Sequence, residues 1–196
     1  MKPLRIEWPC CARMALCAVL FVVLVIAAVP TLLYPLTRDQ GAYAYQADVM
    51  MQGGALFRDA WESKGPAVQF AYWLAFWLFG RSEFAVRLFD VLYTLLSAAS
   101  VYALAWEVFR DRRIATCSAW LYAFCYYLLV HFYSMATSEA FMTPFLVVSV
   151  YGIVRGMRNQ GSRALLLGGM ASGFICWFKP PTGLVIVAVL LWACFR

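Results

Sequence analysis

The sequence of 196 residues is strongly apolar, with 64% hydrophobic residues, only 13% charged residues and a mean hydropathy of +0.73. A soluble domain averages about 25% charged residues, so the composition excludes that class and predicts an all-α integral membrane protein, because helices satisfy their backbone groups inside the bilayer. The formal net charge of +6 could suggest nucleic acid, but no basic patch is interleaved with aromatic residues, and we expect no such partner.

Apolar stretches of about 20 residues, long enough to cross a bilayer, predict about six transmembrane helices. The first follows a basic N-terminus, and its length favours a membrane anchor over a signal peptide. Lys179, Pro180 and Pro181 break the last stretch into two short helices, because proline removes a backbone donor. The predicted spans are 14–34, 84–109, 114–133, 138–154, 164–178 and 181–195.

Between the first two spans, residues 35–83 form a long outer loop with helical segments of its own. Thr37 and Gln40 have the spacing of a capping box, which predicts a short helix that Gly53 and Gly54 would end. The aromatic run at 67–79 would be only about 20 Å long as a helix, too short to cross the bilayer. Because Trp and Tyr prefer the headgroup level, we expect an interfacial juxtamembrane helix here.

Charge placement predicts the orientation of the chain. With a cytoplasmic N-terminus, every short inner loop is basic, and ten of the sixteen Lys and Arg residues lie inside. This distribution satisfies the positive-inside rule. Seven of the ten acidic residues then lie on the outer side or near it. Acidic residues contribute little to orientation, so their placement indicates a site on the non-cytoplasmic face.

Individual acidic and basic residues of the loop allow two interpretations. Asp39 lies in the first turn of the predicted helix, where it either complements the helix dipole or belongs to a site. Glu62 and Lys64 immediately precede the aromatic helix and could be a solvated loop of mixed charge. Beside the headgroups, however, a lysine can bind a lipid phosphate and a carboxylate can take a proton from a sugar hydroxyl.

Several motifs match a known family in order along the chain. They are Asp39, Gln40 and Gly41 after the first span, then Phe57, Arg58, Asp59, Trp61, Glu62, Lys64 and Pro66, then Phe79, Gly80, Ser82, Glu83, Phe84, Ala85, Val86 and Arg87, and finally Ser138, Glu139, Lys179, Pro180 and Gly183. With them the sequence resembles the C-type (GT-C) glycosyltransferases that use polyprenyl-phosphate sugars. The similar branch includes the protein O-mannosyltransferases and the aminoarabinose and galacturonosyl transferases.

The resemblance implies a membrane glycosyltransferase of the hexosyl or pentosyl type that acts on the outer face, in the bacterial inner membrane. It implies Asp39 as the catalytic base and Lys64 as the contact to the leaving phosphate. It also implies substrate-binding roles for four further residues, Glu62, Arg87, Glu139 and Lys179. Two of these four have simpler alternatives, because Arg87 could neutralise Asp90 three residues away and Glu139 could complement a helix dipole.

Two departures from the family limit these expectations. Its members are longer, so residues 1–196 are expected to be a single transmembrane domain from the N-terminal part of a larger fold, which could be inactive alone. Gln40 replaces the usual second acid, so we expect no tightly bound metal or cofactor, and the lipid-linked sugar would be a co-substrate. The alternative from another class is a transporter or non-catalytic membrane subunit that binds through its outer acidic residues, although the sequence has no internal repeat.

Overall fold

The computed structural model describes residues 10–159, 161–184, 187–188 and 191, and within them the chain forms seven α-helices. These are α1 Cys10–Ala28, α2 Arg38–Met51, α3 Pro66–Phe79, α4 Glu83–Phe109, α5 Arg112–Leu128, α6 Ser138–Asn159 and α7 Ser162–Phe178. Short 3-10 turns follow three of the helices, at Val29–Leu33, Phe132–Ser134 and Pro180–Thr182. The predicted all-α fold is confirmed.

Two helices, Glu83–Phe109 and Ser138–Arg158, are long and apolar enough to cross a membrane. A third span is possible by length if Ala18–Leu33 and Arg38–Met51 count together, but the two parts meet at a bend of 65°. Helix α7 has only 17 residues, about 26 Å against roughly 30 Å of hydrocarbon. The predicted span 181–195 falls mostly outside the described residues. The chain is therefore a membrane protein, and the number six stays a prediction.

Two helix ends differ from the predicted boundaries for local reasons. Helix α5 ends at Leu128 rather than near residue 133, because the following residues turn their carbonyl oxygens towards the side chain of Gln40. Helix α6 continues to residue 159 rather than stopping at residue 154. The apolar pattern stops at Arg155, but Arg155 and Arg158 extend the helix beside the carboxylate of Glu107.

The predicted loop helices are both present. Helix α2 starts after Thr37, whose backbone N–H donates to Gln40 Oε1 at 3.0 Å, so this half of the capping box forms. Gly53 follows its end with φ +85°, a conformation that favours glycine. Helix α3 buries one face and exposes an apolar and aromatic face, which is the pattern expected of an interfacial helix. The exposed face carries Phe70, Leu74, Trp77 and Leu78.

The main core cluster lies where the loop helices pack on α4 and α6. Tyr43 of α2, Val68 and Tyr72 of α3, Val86 of α4 and Phe141 of α6 are almost fully buried there. Helices α2 and α3 are therefore a packed cap over the ends of two candidate spans. This cap fixes the position of the polar residues that the sequence places on the loop.

Candidate functional site

An acidic cleft of about 610 Å³ opens beside the start of α2. Two carboxylates, Asp39 and Glu139, line it from the first turns of α2 and α6, and both are exposed. Carboxylates are favoured near a helix N-terminus, so each position agrees with the dipole interpretation as well. The remaining wall residues are Tyr122, Tyr126, Val130, Tyr133, Ser134, Thr137, Ala140 and Thr143. The cleft is large enough for a small ligand, since such sites measure roughly 300–1,000 Å³.

A cation from the far end of α7 reaches this cleft. Lys179 Nζ donates to Glu139 Oε1 at 2.7 Å, and the hydroxyl of Ser138 donates to the other carboxylate oxygen at 2.9 Å. Lys179 is placed by the end of α7, because the prolines that follow it cannot continue the helix. Both partners are more than one third exposed, so water competes with the ion pair and the lysine can exchange Glu139 for another anion.

Lys64 lies close in the chain to a tight contact between the loop and α7. The backbone N–H of Gly65 donates to the carbonyl oxygen of Phe178 at 3.3 Å. A Cβ atom on Gly65 would lie 1.9 Å from the carbonyl oxygen of Trp177, so only glycine permits this approach. Lys64 directly precedes Gly65 and Lys179 directly follows Phe178, so each lysine adjoins this backbone contact. Both lysines are half-buried.

Three carboxylates affect the pKa of the Tyr43 hydroxyl. Burial, and then the negative charges of Asp39, Glu62 and Glu139, raise the pKa of the Tyr43 hydroxyl to about 12. Glu62 itself accepts hydrogen bonds from the backbone N–H and the hydroxyl of Ser63, at 2.8 and 2.9 Å. Three predicted site residues from separate parts of the sequence thus act electrostatically on one side chain.

Buried Asp90 of α4 binds one wall residue of the cleft and the backbone that precedes another. The hydroxyl of Tyr126 donates to Asp90 Oδ1 at 2.7 Å, and the backbone N–H of Ala136 donates to the same oxygen at 3.2 Å. Tyr72 in turn donates to the carbonyl oxygen of Ala136 at 2.8 Å. Ala136 has φ +53°, a strained conformation for a residue other than glycine, and these hydrogen bonds hold it. The segment that leads into Glu139 is thereby fixed.

Arg87 lies inside the protein and not in the cleft. Its side chain is 1% exposed, and it donates from Nε to the carbonyl oxygen of Tyr34 at 3.2 Å. Nη2 donates to the carbonyl oxygen of Pro35 at 2.6 Å and to Gln40 Oε1 at 2.8 Å. These hydrogen bonds give Arg87 a structural role that neither alternative for it included, and its predicted substrate-binding role stays a prediction.

Gln40 joins this arginine to the turn after α5. Its Nε2 donates to the carbonyl oxygens of Phe132, at 3.0 Å, and Met135. The side chain is fully buried, whereas Asp39, its neighbour in the sequence, is exposed. No sequence signal beyond the capping box indicates this role, because the partners lie more than 90 residues away. Gln40 and Arg87 together tie the start of α2 to α4 and to the wall of the cleft.

The fold and the cleft define a class: an α-helical membrane protein whose loop helices cap the ends of its spans around an acidic site. The sequence profile of the dolichyl-phosphate-mannose-protein mannosyltransferase family matches residues 63–196, and the chain belongs to this family. The resemblance to C-type glycosyltransferases is thus confirmed.

A relative gives a second comparison. The undecaprenyl phosphate-alpha-4-amino-4-deoxy-L-arabinose arabinosyl transferase 1 of Proteus mirabilis (strain HI4320) is 28% identical over 108 residues, which is 54% of this chain and 20% of that protein. The chain therefore spans about a fifth of the length of this relative. No solved structure matches the chain.

Proposed function

We propose that the protein is a membrane glycosyltransferase that transfers a sugar from a polyprenyl-phosphate donor to an acceptor hydroxyl on the non-cytoplasmic face. The observation that carries the proposal is the acidic cleft, where the exposed carboxylate of Asp39 faces the same space as the ion pair of Glu139 and Lys179. Family membership and the undecaprenyl-phosphate sugar named for the relative support a lipid-linked donor.

In the proposed reaction, Asp39 accepts the proton of the acceptor hydroxyl as its oxygen attacks the anomeric carbon of the donor sugar. The new carbon–oxygen bond forms while the bond from the anomeric carbon to the phosphate oxygen breaks. The electron pair leaves with the polyprenyl phosphate. Lys64 binds the phosphate as its negative charge develops, and Lys179 assists by exchanging Glu139 for it. Glu62 and Glu139 hold sugar hydroxyls.

The proposed base is tested by Asp39→Asn in the full-length protein. Membranes from expressing cells are incubated with labelled polyprenyl-phosphate sugar, and incorporation into acceptor is measured. Loss of a general base reduces transfer by about 10²–10⁴-fold. The matched control is Asp48→Asn on the same helix, which removes an exposed pair with Arg81 at 3.1 Å and should keep near-normal transfer. Unchanged transfer by Asp39→Asn overturns the mechanism.

The phosphate contact is tested by Lys64→Met. Removing one fixed cation from the developing charge should lower kcat by about 10²–10³-fold. Arg81→Met is the control, because it removes a positive charge from the same loop without touching the acidic cleft. If the full-length protein transfers sugar from none of the donors tested, the result would instead favour a transporter or non-catalytic subunit.

The location and orientation are part of the same proposal. We expect the bacterial inner membrane, with the N-terminus in the cytoplasm and the acidic cleft on the other side. A single cysteine introduced at Trp61, which is 66% exposed, should react with a membrane-impermeant maleimide in intact spheroplasts after the native cysteines are replaced. If the cysteine is labelled only after the membrane is opened, residue 61 lies in the cytoplasm and the proposed orientation is wrong.

A further inference from the structure

A second cavity lies at the other end of the helices, away from the acidic cleft. It is a groove of about 710 Å³ between α4, α6 and α7. Its walls are small or apolar, and its lining also includes Arg155 of α6 and Arg163 of α7. We call it the basic groove; its small and apolar wall residues are Ala99, Ala103, Val148, Gly152, Ala164 and Leu167.

Positive charge is in excess beside the groove. Glu107 is buried, and its carboxylate pairs with Arg110 and has Arg155 and Arg158 at 4.0 Å. One carboxylate thus faces three guanidinium groups, and Arg163 adds a further positive charge at the groove. At 4.0 Å, Arg155 is beyond hydrogen-bonding distance of Glu107, so it keeps donors for another acceptor.

We propose that the basic groove binds an anionic glycerophospholipid of the surrounding leaflet. Its phosphate would contact Arg155 and Arg163, and an acyl chain would lie along the small residues between the helices. The groove lies between the two candidate spans, α4 and α6, so its apolar walls belong to the hydrocarbon region. Basic pockets between transmembrane helices are suited to lipid headgroups, since phosphate accepts the paired donors of arginine.

Tyr151 supports the position of the phosphate. It lines the groove, its hydroxyl accepts a hydrogen bond from Arg155, and the guanidinium lies 5.6 Å from the centre of its ring. This contact directs Arg155 along the groove. A free polypeptide segment would satisfy the apolar walls but not the excess of positive charge. A phospholipid satisfies both, and it is the most abundant amphiphile around the protein.

The experiment measures bound lipid on the full-length protein purified in mild detergent. Native mass spectrometry identifies retained phospholipid by mass, and titration with phosphatidylglycerol or phosphatidylcholine measures affinity. Wild-type protein should retain an anionic phospholipid and prefer phosphatidylglycerol. The variant Arg155→Gln with Arg163→Gln should bind it about 10- to 30-fold more weakly, from about 1 kcal/mol for each basic residue near a membrane surface.

Two further variants separate the groove from general charge effects. Arg112→Gln with Arg113→Gln removes the same charge from residues outside the lining and should keep the lipid. Ala99→Trp fills the groove without changing charge and should lose it. The proposal is overturned if wild-type protein retains no phospholipid, as expected if later residues of the protein fill the groove. Equal binding of both lipids, retention by Ala99→Trp, or a retained polyprenyl phosphate instead also overturns it.

Discussion

Replacing Arg87 by methionine should destabilise the protein strongly without acting on the phosphate. The substitution keeps an unbranched side chain but removes three hydrogen bonds, to Tyr34, Pro35 and Gln40. At about 1–2 kcal/mol each, the loss is about 3–6 kcal/mol. Arg87 Nη1 is buried without a partner among the described residues, and removing it offsets about 1–2 kcal/mol. The expected net destabilisation is about 1–5 kcal/mol.

Thermal unfolding of the full-length protein in detergent measures this effect. For a unit of this size, 1 kcal/mol corresponds to about 2–4 °C, so Arg87→Met should lower Tm by roughly 2–20 °C. Arg87→Lys should be intermediate, because an ammonium cannot reproduce the fork of donors.

Arg81→Met is the control for this experiment, since it loses only an exposed ion pair and should change Tm by about 2 °C or less. A Tm change of Arg87→Met within that range, combined with a raised KM for the lipid-linked sugar, would refute the structural role and favour the substrate-binding role predicted from the sequence.

Three further substitutions test separate features of the loop. Gln40→Met removes the amide that bonds two backbone carbonyl oxygens and Arg87 and should lower the free energy of unfolding by about 1–3 kcal/mol, measured by thermal unfolding; an unchanged Tm would contradict the network. Gly65→Ala forces a methyl group against a carbonyl of α7 and should cost about 1–3 kcal/mol in the same assay, whereas Gly161→Ala, with open space around it, should not. The hydrogen bond from Arg58 lowers the pKa of Asp59 to about 2, so this stabilising interaction is present above about pH 4 and is lost as the pH falls through 2. In Arg58→Gln the carbon NMR shift of the Asp59 carboxyl should titrate closer to pH 4, and identical titration in both proteins would contradict the ion pair.

Local signals predicted the helices and their arrangement along the chain. Hydropathy located α1, α4, α5, α6 and α7, and the capping pair Thr37 and Gln40 located α2. These signals succeed because span length and helix capping are properties of neighbouring residues. The end of α5 was missed because it depends on hydrogen bonds from Gln40, which is far away in the sequence.

The candidate site was predictable only in part for the same reason. Asp39 and Glu139 could be placed at helix starts on one side, and the structure brings them to one cleft. Their roles stay predictions. The contacts of Arg87 and Asp90 depend on which helices pack together, and spacing on α4 left open whether Arg87 would neutralise Asp90 or bind substrate. In the structure Arg87 binds Gln40 of the cap, whereas Asp90 binds Tyr126 of α5, and spacing along α4 indicates neither partner.

The direction of the Gln40 side chain changes the interpretation of the second acid that is missing at this position. Consecutive residues of a helix point about 100° apart, so Asp39 can face the cleft while Gln40 points into the protein. A glutamate at position 40 would therefore not add a carboxylate to the cleft. Glu139 supplies the second carboxylate instead, from another helix, with Lys179 already beside it. The neutral amide leaves Asp39 as the acidic group of its own helix start, and the two carboxylates that line the cleft come from α2 and α6.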